Sequence, residues 1–314
     1  MDRTSITPDA RATTGVIGAG RAYLLLGAVV VLWGANWPIM KLGLESISPL
    51  WFAALRMAGG AATLLALLAS LGRLRLPPRH DVPIVLSVGL LHMTLTTALM
   101  YFGLLYVEAG RAALLSYTTP LWVAPLAVPL LGERLDWRKV LGIAVGLSGL
   151  AVLFNPLGFD WSDRDTVIGN AILTASAMVW ASVILHIRKH RWQSTPLALA
   201  PWQMALSAVL LSTAALVFED PGAIRWSGWL IANLAYNGVV ASAFCFWAMI
   251  TVMRALPAVS SSVGSLAIPV AGVLFSALAL GEPLTATLLG GLALILAGIA
   301  LVSLPARVYS GGQR

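Results

Sequence analysis

Charge is scarce in this chain: Asp, Glu, Lys and Arg make up 11% of its 314 residues, against about 25% in soluble proteins. With 59% of residues hydrophobic, a water-soluble domain has no way to hide the apolar surface, and a membrane protein is the class that remains. Cysteine is nearly absent. The single Cys245 rules out a disulfide framework and a cysteine-based metal centre. There is no Gly-x-x-x-x-Gly-Lys-Ser/Thr loop, which excludes ATP-driven pumping by this chain. Nor is there a His-Glu-x-x-His, a Gly-x-Ser-x-Gly or an intramembrane aspartate pair, so an intramembrane enzyme has no catalytic set to build on. A sensor would normally carry a soluble signalling domain, and the polar segments are too short for one. No cofactor or metal is expected.

What the chain does have is an internal repeat. At a lag of 149 residues Pro120-Leu121 reads against Pro269-Val270, and Leu131-Gly132-Glu133-Arg134-Leu135 against Leu280-Gly281-Glu282-Pro283-Leu284. The register holds through Gly142/Gly291 and Gly149/Gly298. At a lag of 147, Trp33 meets Trp180, Met57 meets Met204, and Ser48-Pro49-Leu50 meets Thr195-Pro196-Leu197. Such self-similarity in an apolar chain signals a duplicated membrane bundle.

Apolar stretches of about twenty residues, the length that crosses the hydrocarbon core, fall near 22–41, 49–71, 82–105, 110–131, 138–155, 168–187, 197–218, 228–250, 257–280 and 285–304. This predicts an all-α integral membrane protein of ten transmembrane helices, in two five-helix repeats over 21–155 and 168–305. An odd number of spans per repeat makes the second copy enter from the opposite side, giving an inverted pair. Residues 1–20 read as a disordered tail without a cleaved signal peptide, residues 156–167 as an extracytoplasmic linker, and residues 306–314 as a cytoplasmic tail. The aspartates Asp160, Asp163 and Asp165 in the linker lack an EF-hand pattern and read as a solvated connection.

Lys and Arg distribution fixes the orientation. With the N-terminus inside, fifteen of them, among them Arg73, Arg75, Arg79, Arg188, Lys189 and Arg191, fall on the cytoplasmic side, and only Lys41, Arg111, Arg164 and Arg225 on the other. Both termini are then cytoplasmic, in the plasma membrane, which for a bacterium is the inner one. The net charge of +7 follows from this topology and implies no nucleic-acid partner, because no basic stripe with interleaved aromatics is present. The partners expected are a small-molecule substrate and the lipid bilayer.

The run Ala109-Gly110-Arg111-Ala112-Ala113-Leu114-Leu115-Ser116-Tyr117-Thr118-Thr119-Pro120, then Leu131 to Leu135 and the glycine-spaced helix to Gly149, resembles the signature of EamA-type domains of the drug/metabolite transporter superfamily. Ala258 to Pro269, Gly281-Glu282-Pro283-Leu284 and Gly290 to Gly298 resemble it again. The resemblance spans Tyr23 to Leu304. It implies ten helices around a cavity walled mainly by helices one, three, four, six, eight and nine, with five and ten peripheral. It also implies transport of amino acids, related metabolites or drugs, often outward. The small multidrug relatives use an acidic residue in the first helix, and this chain has none between Arg21 and Met40, which argues against cationic-drug antiport by that route.

Within this frame, Pro120 and Pro269 are candidate hinges, each removing a backbone hydrogen bond at matched positions; the plainer explanation is that proline is common in membrane helices. Trp33 and Trp180 are candidate cavity walls for aromatic or apolar groups, with Asn36, Tyr101, Tyr117, Tyr236, Asn237 and Trp247 completing a mildly polar lining. His92, midway along helix three, is a candidate for substrate contact or proton coupling, or else a neutral hydrogen-bonding residue. Arg56 can grip a carboxylate or lock the bundle; because helix two is not a principal wall in the family, the structural role is preferred. Lys41 and Glu108 are read as structural or gating charges, Glu108 as a helix-end partner for Arg111. The glycine strips around Gly142-Gly146-Gly149 and Gly290-Gly291-Gly298 suit packing within the chain, with a homodimer face as the alternative to a monomer.

Overall fold

The computed structural model describes residues 17–132, 136–154 and 163–303. Among these residues every regular element is helical. Helix α1 spans Ala19–Gly43, α2 Pro49–Ser70, α3 Arg79–Tyr106, α4 Ala109–Leu131, α5 Trp137–Phe154, α6 Arg164–Lys189, α7 Pro196–Phe218 and α8 Gly228–Ala255, followed by α9 Ala258–Ser265, α10 Ala267–Leu280 and α11 Ala286–Ser303. Seven of them, α1 to α4 and α6 to α8, are long and apolar enough to cross a membrane, and shorter apolar helices accompany them. Both tails over 1–16 and 304–314, most of the linker with Asp160, and the Glu133-Arg134-Leu135 motif lie outside the described residues.

The predicted spans 110–131 and 257–280 are both broken. In α4 the break falls at Tyr117-Thr118, where Tyr117 N–H divides between the carbonyls of Ala113 (3.3 Å) and Leu114 (3.2 Å). Pro120 has no N–H to offer Ser116, and the Thr119 hydroxyl donates to the Ser116 carbonyl instead, at 3.1 Å. A second helical segment, Thr119–Leu131, then starts with Pro120 in its first turn. Leu266 separates α9 from α10 in the same way, with Pro269 in the first turn of the new segment. The prolines therefore stand at helix starts, where proline is tolerated, rather than in mid-helix.

Two further departures from regular α-helix are paired. Val88–Thr96 in α3 and Tyr236–Phe244 in α8 are π-helical, nine residues each. Hydroxyls bridge the widened turns by bonding five residues back: Thr94 to Gly89 O at 2.7 Å, Thr96 to Leu91 O at 2.9 Å and Ser242 to Asn237 O at 2.8 Å. Such segments often mark functional sites.

The main helix pairings join one half of the chain to the other: α2 packs on α7, α5 on α11, α1 on α10 and α8, and α6 on α3 and α4. The α5–α11 crossing is backbone on backbone. A Cβ added at Gly298 would stand 2.5 Å from Gly146 N and 2.6 Å from Gly142 O, so Gly142, Gly146, Gly149, Gly291 and Gly298 pack inside the chain. Gly132 and Gly281 end their helices with φ of 67° each, a left-handed conformation that glycine adopts without strain.

Carboxylates reach across the halves to cap helix starts. Glu219, after α7, accepts from the N–H groups of Leu50 (2.9 Å) and Trp51 (3.0 Å) and from the Ser48 hydroxyl (2.6 Å) at the start of α2. Glu282, before α11, accepts from Ala109 N (2.6 Å) and Gly110 N (2.8 Å) at the start of α4. Asp81, at the start of α3, accepts from Gln193 N (3.2 Å) and Ser194 N (2.8 Å) ahead of α7. Glu219 and Glu282 satisfy donors a helix start leaves unpaired and place negative charge at the positive end of a helix dipole, whereas Asp81 holds the turn that leads into α7.

Candidate functional site

Between the halves lies a cavity of about 420 Å³, walled by side chains of α1, α2, α3, α4, α6, α7 and α8. That volume suits a small organic solute. Of the residues singled out from sequence, Trp33, Asn36, Arg56, His92, Tyr117, Pro120 and Trp180 line it. Trp33, from the first half, and Trp180, from the second, share the wall. The Trp33 indole N–H donates to Ala241 O at 2.8 Å, inside the α8 π-segment, and Trp180 stacks on His92 with ring centroids 3.5 Å apart and planes 21° apart. The aromatic surfaces are held in place by these contacts rather than left free to turn.

Other candidates stand behind the wall. Tyr236 donates to Leu32 O at 2.6 Å, tying α8 to α1 beside Trp33. Tyr101 and Asn237 are fully buried and meet each other, Tyr101 OH donating to Asn237 Oδ1 at 3.3 Å. The Asn237 amide in turn donates to Asn233 O and Oδ1, both at 3.0 Å, and the Asn233 amide to Ile39 O at 2.7 Å. This chain of buried amides pins α3 and α8 to α1; a buried amide needs partners, and here it finds them. Pro269 is buried outside the cavity lining, and Trp247 is half-exposed beside Phe244.

Among the described residues Arg56 is the only permanently charged one in the lining. Its Nε donates to Ser242 Oγ at 2.9 Å, and Nη1 approaches Tyr101 OH at 3.4 Å and Met40 Sδ at 3.2 Å. All of these are neutral. Among the described residues no carboxylate pairs with this guanidinium, at a depth where an unpaired charge is costly. Around the same cavity three buried polar atoms have no partner: Asn36 Oδ1, His92 Nδ1 and Ser116 Oγ. One cation without a counter-ion and three orphaned polar atoms, two of them able to accept a hydrogen bond in any case, form a complementary pattern.

The rest of the lining is apolar and adaptable. Five of the nine methionines, Met40, Met57, Met93, Met100 and Met204, face the cavity, and thioethers conform to solutes of varied shape. Ser116 and Asn233 escaped the sequence reading. Ser116 lies in the quoted repeat motif next to Tyr117, whereas Asn233 carries no local signal, since its role depends on a carbonyl 194 residues away.

At the end of the bundle where α1 stops, Lys41 donates to Leu104 O (2.5 Å) and Val107 O (2.8 Å), closing the last turn of α3. Arg111 donates to Leu153 O and forms no ion pair with Glu108. Partial burial and then the Glu282 carboxylate push the Glu108 carboxyl above its ordinary range, with Arg111 and Lys41 opposing.

The EamA-like transporter family matches this chain twice, over residues 20–155 and 167–304. Among curated proteins the chain is 31% identical to the uncharacterized transporter YvbV of Bacillus subtilis (strain 168), over 90% of this chain and 92% of that one. It is 27% identical to a probable terminal-alkyne amino-acid exporter of Streptantibioticus cattleyicolor, over 90% and 93%. With a probable amino-acid metabolite efflux pump of Escherichia coli (strain K12) it shares 26% identity over 86% and 91%. A solved crystal structure 23% identical in sequence superposes with a TM-score of 0.61, covering 90% of this chain and 97% of that one, which speaks to the fold. With both repeats matched and apolar helices of spanning length between them, the chain belongs to the EamA-like transporter family and is a multi-pass membrane transporter.

Proposed function

We propose that the protein is a secondary carrier that exports or exchanges a small zwitterionic metabolite, an amino acid or a close relative, by alternating access. The observation that carries the reading is the lone Arg56 guanidinium in the cavity wall, facing neutral groups only. The solute carboxylate forms a charge-assisted bond with Arg56. Its ammonium donates to Asn36 Oδ1, His92 Nδ1 or Ser116 Oγ, the unpartnered atoms of the same cavity. Its side chain lies against Trp33, Trp180 and the methionines. Two relatives, a probable amino-acid metabolite efflux pump and a probable terminal-alkyne amino-acid exporter, support this substrate class.

In this reading the membrane is crossed ten times, α9 and α10 together making one crossing and α5 and α11 one each. The two repeats lie upside down relative to each other, in a plasma membrane with both termini cytoplasmic. Support comes from the positive-inside asymmetry and from pairings that exchange into one another when the halves are swapped, α1 on α10 answering α6 on α4. The breaks ahead of Pro120 and Pro269 are the points at which the walls flex, opening the cavity first to one side and then to the other.

Purified protein in liposomes loaded with a panel of labelled amino acids and amines tests this by counterflow. Flux of amino acids, lost with their decarboxylated amines and with Arg56→Gln, is the expected result. Absence of flux for every solute, under counterflow and under an imposed proton gradient, overturns the carrier reading.

A further inference from the structure

Three of the four histidines of this chain gather at one end of the bundle, outside the cavity lining: His80 in the first turn of α3, His186 in the last turn of α6 and His190 just after it. Between His80 and His190 sits Asp81. His190 Nε2 lies 2.9 Å and His80 Nδ1 3.6 Å from the same oxygen, Asp81 Oδ1, and the three potential ligand atoms all fall within 4.8 Å of one another. We propose that His80, Asp81 and His190 form a zinc site that staples the first half of the chain to the second.

The geometry fits the ion. Zinc bound tetrahedrally at about 2.0–2.1 Å from its ligands requires them to stand about 3.3 Å apart, and the two measured separations from Asp81 bracket that value. The adjustment falls on the exposed imidazole of His80, whose side chain is 47% accessible, while the Asp81 side chain is 0% accessible. Asp81 is held rigidly: the N–H groups of Gln193 and Ser194 fix its two oxygens at 3.2 and 2.8 Å, the outer support that orients metal ligands. On binding, His190 presents the Nε2 lone pair, its proton moving to Nδ1 or to solvent. The open side at His80 leaves the fourth position to water.

The chemistry of the ligands also selects the metal. Two imidazoles and one carboxylate suit zinc, whereas calcium and magnesium need cages of oxygen. The basic residues of the same chain ends, Arg79, Arg188, Lys189 and Arg191, disfavour ions held by charge alone and leave those held by coordination to nitrogen. A bound ion joins the start of α3 to the connection between α6 and α7, and all three helices wall the cavity. Occupancy therefore resists separation of the halves at this end.

The test is a titration of tag-free protein in detergent with zinc chloride against a chromogenic zinc indicator. One ion per chain is expected in wild type and in Cys245→Ser, with no response to calcium or magnesium. Affinity should fall about tenfold or more in His80→Gln and in His190→Gln, as weakened metal sites do. His80 is exposed and its ring meets only the rim of the cluster at His190, so its variant should fold whether or not His190→Gln does. No zinc bound by wild type, binding lost in Cys245→Ser, or affinity unchanged in His80→Gln overturns the site. In liposomes, zinc should slow counterflow of wild type and not of His80→Gln; wild-type flux indifferent to saturating zinc overturns the stapling. The binding assay uses no transport, so its failure leaves the carrier reading intact, and the reverse holds.

Discussion

The two halves of this chain are alike in backbone and unlike in chemistry. Their π-helical stretches, Val88–Thr96 and Tyr236–Phe244, begin at residues 148 apart. Their terminating glycines, Gly132 and Gly281, share a φ of 67°, and both break a helix ahead of a matched proline. The polar groups at the cavity mostly do not repeat. Arg56 answers to Gln203, Asn36 to Val183, His92 to Val240 and Tyr117 to Leu266, while Trp33/Trp180 and Ser116/Ser265 are kept and Ser242 answers to another hydroxyl, Thr94. In the carrier proposed above, duplicated backbone devices would serve a motion in which the halves exchange roles, each owning a copy, whereas recognition would need no such copy, because one asymmetric solute occupies one cavity.

The sharpest way to break the contrast is Arg56→Gln, which makes the pair with Gln203 identical. Losing one partner of a buried charge pair costs about 2–5 kcal/mol, so the apparent affinity for a zwitterion should fall about thirtyfold or more in counterflow, with the melting temperature little changed. Next comes the shared backbone. Gly298→Ala drives a methyl into the backbone of Gly146 and Gly142, where neither side can yield, and should cost about 1–3 kcal/mol. Gly290→Ala meets nothing closer than 4.0 Å and should leave thermal stability unchanged or raised.

Glu282→Ala strips two N–H groups of α4 of their acceptor and should lower stability by about 1–2 kcal/mol, the usual cost of a lost cap, read as a shift in melting temperature. His92→Phe keeps a ring against Trp180 and removes the Nδ1 acceptor; one hydrogen bond of about 1 kcal/mol corresponds to about a fivefold loss of apparent affinity. The smallest effect belongs to Glu108. Its raised carboxyl titrates above the ordinary value of 4.5, so its favourable contribution is present below that value and is lost as pH rises through the raised one. Melting temperatures of Glu108→Gln should therefore decline less over that interval than those of wild type.

The duplication itself was legible in the sequence because a copied helix keeps its glycines, prolines and tryptophans in register, and the lag that matched Trp33 to Trp180 leads to two residues of one cavity wall. The cross-half carboxylate contacts were not legible. Glu219 and Asp81 act on N–H groups 169 and 113 residues away, and nothing local distinguishes such a carboxylate from a solvated one. Glu282 stood out only as part of a repeated Gly-Glu step. Arg56 shows a different gap. Its depth was evident, but its view of the cavity depends on α2 leaning on α7 and the α8 π-segment, a tertiary fact without a signature in the run of residues around it.

The crossing of α5 and α11, with Gly298 against Gly142 and Gly146, sets a mechanical condition on everything else. Side chains between two helices act as a compliant layer that absorbs shear by changing rotamer. Where the main chains themselves touch, that layer is missing. In the proposed carrier motion the two rods could not creep past one another by degrees, and the joint would act as a fulcrum between the halves.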